Sequence, residues 1–152
     1  MDPDIEIADE AWNALANLEA LAKRAVAQGL ALVDMPDAQV ALNFADDETL
    51  AKLNAQWRGK SKPTNVLSFP AGPGMTPPDE PVFLGDVILA SGVTRVEAQE
   101  QGKSWEDHTT HLILHGVLHL AGHDHETEDE AAVMEALEIR AMAALGLANP
   151  YE

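Results

Sequence analysis

All six histidines of this 152-residue chain lie between His108 and His125. The densest part reads His115-Gly116-Val117-Leu118-His119-Leu120-Ala121-Gly122-His123-Asp124-His125. His115 and His119 are four residues apart, so on a helix they share one face, about 6 Å apart along the axis. Both imidazoles can then reach one ion at about 2.0–2.1 Å. Gly122 readily takes the left-handed conformation that ends a helix and turns the chain back. The turn returns a third imidazole, His123 or His125, toward the same ion. Three nitrogen ligands leave the fourth tetrahedral position to water, the arrangement of a catalytic rather than a structural zinc. With no cysteine in the chain, thiolate ligands, disulfides and a Cys nucleophile are excluded, so a transition-metal site must use His, Asp or Glu. Several unpartnered imidazoles in an apolar helix would be costly, which favours a shared ion over separate core histidines.

The elements that must position this cluster are legible from periodicity and caps. Ser104, with Asp107 three residues on, opens a helix whose second half, Leu112 to Ala121, is apolar nearly all round and therefore buried. Gly122 stops it. Thr127 and Glu130 form a second capping box, opening a helix with Val133, Met134, Leu137, Ala141 and Leu145 on its apolar stripe and Gly146 at its end. Upstream, Ile5–Ile7 reads as a short strand and Glu10 to Gln28 as one helix stopped by Gly29. Gln39 to Phe44 alternates like a half-buried strand. Asp46 or Asp47 caps a helix with the stripe Leu50, Leu53 and Trp57. Asn65 to Phe69 is a strand closed by Pro70. The segment from Pro70 to Pro81, with five prolines and two glycines, is a long surface loop. Val82 to Ala90 is an apolar strand interrupted by Gly85-Asp86, and a short helix then ends near Gly102. The expectation is an α+β fold: a small mixed β-sheet packed with several α-helices, a metal site at the end of a buried helix, and residues 1–152 as a single domain.

Composition narrows the function. The 46% hydrophobic content supports a core, and no stretch reaches the roughly 18 apolar residues of a membrane helix. The start, Met1-Asp2-Pro3-Asp4, is acidic where a secretory signal is basic and then apolar, so a cytoplasmic protein with no membrane partner is expected. A net charge of −17 repels polyanions on average. Four of the nine bases, Lys52, Arg58, Lys60 and Lys62, nevertheless fall within eleven residues. Such a run is by default a solvated helix end and loop.

The spacing H-x3-H-x2-G-x2-H is also that of the metzincin proteases, which carry a Glu after the first His as the base that activates water. Here that position is Gly116, so the usual proteolytic base is missing. The whole block resembles more closely the YbeY family of bacterial rRNA maturation factors, described as metal-dependent endoribonucleases, with the signature H-G-x-L-H-L-x-G-Y-D-H. His115 to His125 matches it except that His123 replaces Tyr. A second block, an Arg followed shortly by P-T-D-V-L-S-F-P, appears as Arg58 and then Pro63-Thr64-Asn65-Val66-Leu67-Ser68-Phe69-Pro70, with Asn65 for Asp. A third, L-G-D-I, appears as Leu84-Gly85-Asp86-Val87. The resemblance spans roughly Ala41 to Gly146.

The resemblance implies three metal ligands, His115, His119 and His125, holding one zinc ion, and it selects His125 over His123. It implies a functional Arg, carried onto Arg58 as the catalytic residue, and it makes Arg58, Lys60 and Lys62 candidates for binding RNA phosphates beside the metal. The function expected is a metal-dependent endoribonuclease of ribosomal RNA maturation and ribosome quality control, one hydrolase domain whose partners are ribosomal RNA or a ribosomal subunit, with ribosomal or assembly proteins. Two rivals stand beside it: a non-catalytic ribosome- or RNA-binding assembly factor with a zinc site, and a metallohydrolase acting on a non-RNA substrate.

Overall fold

The computed structural model describes residues 2–60, 62–72 and 76–152. In chain order its elements are β1 (Asp4–Ile7), α1 (Leu18–Leu32), β2 (Gln39–Ala45), α2 (Asp47–Arg58), β3 (Val66–Pro70), β4 (Phe83–Ala90), α3 (Ser91–Glu100), α4 (Trp105–Leu120) and α5 (Glu128–Ala144). The sheet order is β1-β2-β4-β3. β1 and β4 both run parallel to β2, and β3 pairs antiparallel to β4 as an edge strand. This is the mixed sheet and the α+β class that the sequence implies.

The period-2 pattern of β2 turns Val40, Leu42 and Phe44 toward the main core, where they meet Val87 and Leu89 of β4 and the apolar faces of α1 and α4. A smaller cluster, Ala45, Leu50, Leu67 and Ala90, packs under α2. Trp12 links several layers. It is fully buried, stacks on Trp105 at 4.8 Å, meets Phe44 edge-on at 5.0 Å, and donates its indole N–H to the Ala45 carbonyl at 2.9 Å.

That anchor explains the first departure from sequence expectation. Glu10 to Gln28 is not one helix: a 3-10 turn, Glu10–Ala14, capped by Asp9, swings Trp12 into the core, and α1 starts afresh at Leu18. Gly29 does not stop α1. A Cβ there would lie 3.0 Å from Val117 Cγ1, so its role is to let α1 approach α4 closely. In α2, Asp46 is the cap, accepting from the Thr49 amide at 2.8 Å, while Asp47 reaches across to the Val93 amide at 3.0 Å. Leu50 is buried, but Trp57, read as part of the same stripe, is 65% exposed. β4 passes through Gly85-Asp86 without a break. Gly85 sits at φ 142° where a Cβ would strike the Phe69 carbonyl. Part of the Pro70–Pro81 loop, residues 73–75, lies outside the described residues; the flanking described residues 71–72 and 76–82 form no strand or helix.

α4 forms as the sequence predicts. Ser104 accepts from the Asp107 amide at 3.1 Å, and the helix runs buried between α1 and the sheet until Gly122, at φ 102°, turns the chain. α5 is capped by Thr127, but its buried residues are Met134, Glu138, Ala141 and Met142; Val133 faces solvent.

A candidate metal centre at the end of a buried helix

The last two turns of α4 present His115 and His119 on one face, with ring centroids 6.5 Å apart and planes within 4° of parallel. The turn at Gly122 brings His125 back over them, 5.5 Å from His115 and 6.2 Å from His119. The three imidazoles therefore form a triangle, and His123 is not part of it. His123 contributes its backbone instead: its carbonyl accepts a hydrogen bond from His119 Nδ1 at 3.0 Å.

This bond fixes the His119 tautomer. A carbonyl can only accept, so Nδ1 carries the proton and Nε2 keeps a free lone pair. The other two rings follow the same plan. His125 Nδ1 lies 3.4 Å from Asp124 Oδ1, and His115 Nδ1 lies 3.4 Å from Glu138 Oε1. Each ring thus turns Nδ1 to an oxygen acceptor and leaves Nε2 without a hydrogen-bond partner among the described residues, the division of roles that metal-binding imidazoles show. Tetrahedral coordination at ordinary zinc–nitrogen distances would set the centroids about 5 Å apart. The donor set fits zinc, with the rings needing to close in by roughly an ångström. As they stand, no three His, Asp or Glu groups among the described residues converge tightly enough to hold an ion.

Gly116 has a packing reason. A Cβ there would lie 2.7 Å from Val87 Cγ1 and 3.2 Å from Ser68 Oγ. The position faces the sheet rather than the histidines, so a glutamate could not occupy it without displacing β4. At this position α4 is seated directly on the sheet.

Behind the triangle lies a network that sequence reading missed. Glu138 is 1% exposed. Its Oε1 receives His111 Nε2 at 2.5 Å and the Tyr151 hydroxyl at 3.0 Å, with His115 Nδ1 at 3.4 Å. Burial pushes the Glu138 carboxyl up, but hydrogen bonds and charge from His111 and His115 outweigh it and bring the pKa down to about 2. Burial, with the charge of Glu138, raises the Tyr151 phenol. The available signals were a lone acid at helical spacing with Met134 and Ala141, and the four-residue rhythm His111, His115, His119.

A cavity of about 540 Å³ adjoins His115; Asn65, Glu97, His108, His111 and Tyr151 are among its other walls. Asn65 donates from Nδ2 to Glu97 Oε1 at 3.1 Å and accepts from the Val66 amide at 2.7 Å. Glu97 also meets His108 Nε2 at 2.9 Å. The amide at position 65 is thus matched to a neighbouring carboxylate, where an aspartate would repel it. Burial lowers the His108 pKa.

Arg58, Lys60 and Lys62 are exposed at the end of α2 and in the segment leading to β3, and among the described residues none forms an ion pair. None lines the cavity beside His115; the lysine there is Lys103, whose ammonium donates to the Pro150 carbonyl.

The family model described as "Endoribonuclease YbeY" matches residues 4–146. A Rhodopseudomonas palustris (strain BisA53) protein named Endoribonuclease YbeY is 47% identical over 152 residues, covering 97% of this chain and 88% of the relative. One of the same name from Chelativorans sp. (strain BNC1) is 48% identical over 149 residues, covering 97% and 91%. The solution structure of TM1509 from Thermotoga maritima shares the fold, with a TM-score of 0.56 at 21% identity over 94% of this chain and 91% of that one. By the extent and identity of these matches, the chain belongs to the Endoribonuclease YbeY family.

Proposed function

We propose that this chain is a metal-dependent endoribonuclease that matures ribosomal RNA and serves ribosome quality control, with residues 1–152 acting as one hydrolase domain. The observation that carries the reading is the imidazole triangle, each ring with one nitrogen held by an oxygen acceptor and the other free. His115, His119 and His125 would hold a single zinc ion through Nε2. When bound, such an ion supplies Lewis-acid charge at a scissile phosphate and lowers the pKa of a water.

The chain's own residues do the rest. Glu138, His123 through its carbonyl, and Asp124 orient the three rings. Arg58 is the catalytic arginine, meeting negative charge that grows on the phosphate. Lys60 and Lys62 hold the backbone of the RNA, a local cationic run in a chain of net charge −17. The partners are ribosomal RNA or a ribosomal subunit with its proteins. A cytoplasmic location fits this work, and no helix among the described residues is long and apolar enough to cross a membrane.

The test is purified, metal-defined protein incubated with structured rRNA beside a His115→Ala control. Discrete fragments from the wild type and none from the variant support the reading. Equal fragments from both would end it. Tight rRNA binding without cleavage would support the non-catalytic assembly factor.

A further inference from the structure

Trp57 is the most exposed large apolar side chain among the described residues, at 65%. The two other tryptophans, Trp12 and Trp105, are 0% and 8% exposed. Trp57 is not loosely placed. It stands in the last turn of α2 with its ring edge-on to Phe69 of β3, centroids 6.2 Å apart.

The chain beyond it is folded back on the same helix end. Gly59 takes the left-handed conformation at φ 69° and caps the helix on the Asn54 carbonyl, which also receives the Lys60 amide at 3.3 Å. The buried Asn54 side chain then donates to the Lys62 carbonyl at 2.9 Å. Asn54 therefore gathers Arg58, Lys60 and Lys62 around the helix end that carries Trp57, and none of these cations is ion-paired among the described residues.

An indole exposed this far leaves apolar surface in water, and the cations beside it, without ion-pair partners among the described residues, make a local positive patch on a strongly acidic chain. Together they match a polyanion that offers flat apolar faces. We infer that Trp57 is a stacking platform for an unpaired base of the RNA, with Lys60 and Lys62 on the flanking phosphates. The base must be unpaired because a duplex buries its faces in its own stack, whereas bases in loops and single strands are free to lie on an aromatic ring. This rests on the RNA-processing reading above and adds what that reading lacks: a base of the substrate that the protein recognises besides its phosphates.

The experiment uses the wild-type protein's own fluorescence. Of the three tryptophans only Trp57 is accessible, so quenching by RNA reports on that ring. A ten-nucleotide unstructured RNA, its integrity checked on a gel, is titrated into the protein, and the same strand annealed to its complement serves as comparison. The single strand should quench the emission and the duplex should not. Trp57→Phe, which keeps a ring against Phe69, should abolish the quenching and retain most of the affinity. Trp57→Ala should weaken binding by about tenfold while leaving the salt dependence of the affinity unchanged, because stacking releases no counterions. Lys60→Ala and Lys62→Ala should each reduce that salt slope by about 0.7. Quenching that persists in Trp57→Phe, or wild-type affinity in Trp57→Ala, overturns the platform and leaves the RNA reading standing. No binding of either RNA by the wild type overturns both.

Discussion

Removing the charge of Glu138 gives a prediction whose size follows from the structure. The carboxyl titrates at about 2 in the fold against 4.5 ordinarily, a depression of roughly 2.5 units. At 1.36 kcal/mol per unit this is about 3 kcal/mol of stability for the ionised form. The group is 1% exposed, so solvent screening takes little from that figure. For a carboxyl whose folded pKa is depressed, the stabilisation is fully present above the unfolded pKa and is lost as pH falls toward the folded one. Glu138→Gln should therefore be less stable than wild type by about 3 kcal/mol at pH 7, a midpoint lower by roughly 6–12 °C for a domain of this size. The gap should hold down to about pH 4.5 and close progressively toward pH 2. The assay is thermal or urea unfolding of the two proteins across pH, with chelator present so that metal affinity does not enter. The difference between the curves is the informative quantity, since the other carboxyl groups act on both alike. A gap that is constant over the whole range would refute the claim that the ionised Glu138 is held by His111 and His115.

Three other outcomes follow. Gly116→Ala should destabilise by about 1–3 kcal/mol despite its better helix propensity, because its Cβ meets Val87 at 2.7 Å; unfolding of Gly116→Ala with and without Val87→Ala checks it, the double variant recovering part of the loss. Asn65→Asp should lower stability at neutral pH, measured by urea unfolding, because it sets two carboxylates together; the further change Glu97→Gln should restore it, because the glutamine amide can donate to the introduced aspartate as the Asn65 amide donates to Glu97 now. In competition with a chelator, His123→Tyr should bind zinc nearly as wild type does, since only its carbonyl serves the site, whereas His125→Ala should bind much more weakly.

The local features of the fold and of the site are legible in the sequence. Caps at Ser104 and Thr127, the stop at Gly122 and the spacing of His115, His119 and His125 all act within a few residues, so periodicity and turn chemistry expose them. What it hid was long-range. Glu138 reaches His115 from another helix, and Tyr151 reaches Glu138 from beyond the end of that helix; no local pattern encodes either contact. Gly29 looks like a helix stop because a glycine chosen for a helix crossing and one chosen for a turn are the same residue. Trp12 split the expected first helix because an indole that must reach the Ala45 carbonyl overrides a weak helical period. Trp57 sits at the right spacing for a buried stripe, yet the core beneath α2 does not reach its last turn.

If three imidazoles hold one ion needed for RNA cleavage, activity must follow the stoichiometry of zinc. Protein stripped of metal is titrated with zinc while cleavage of structured rRNA is followed. Cleavage should be absent at the start and rise to a break at about one equivalent of zinc per chain. Full activity in the stripped protein, or no activity at any zinc level, would contradict that role of the ion.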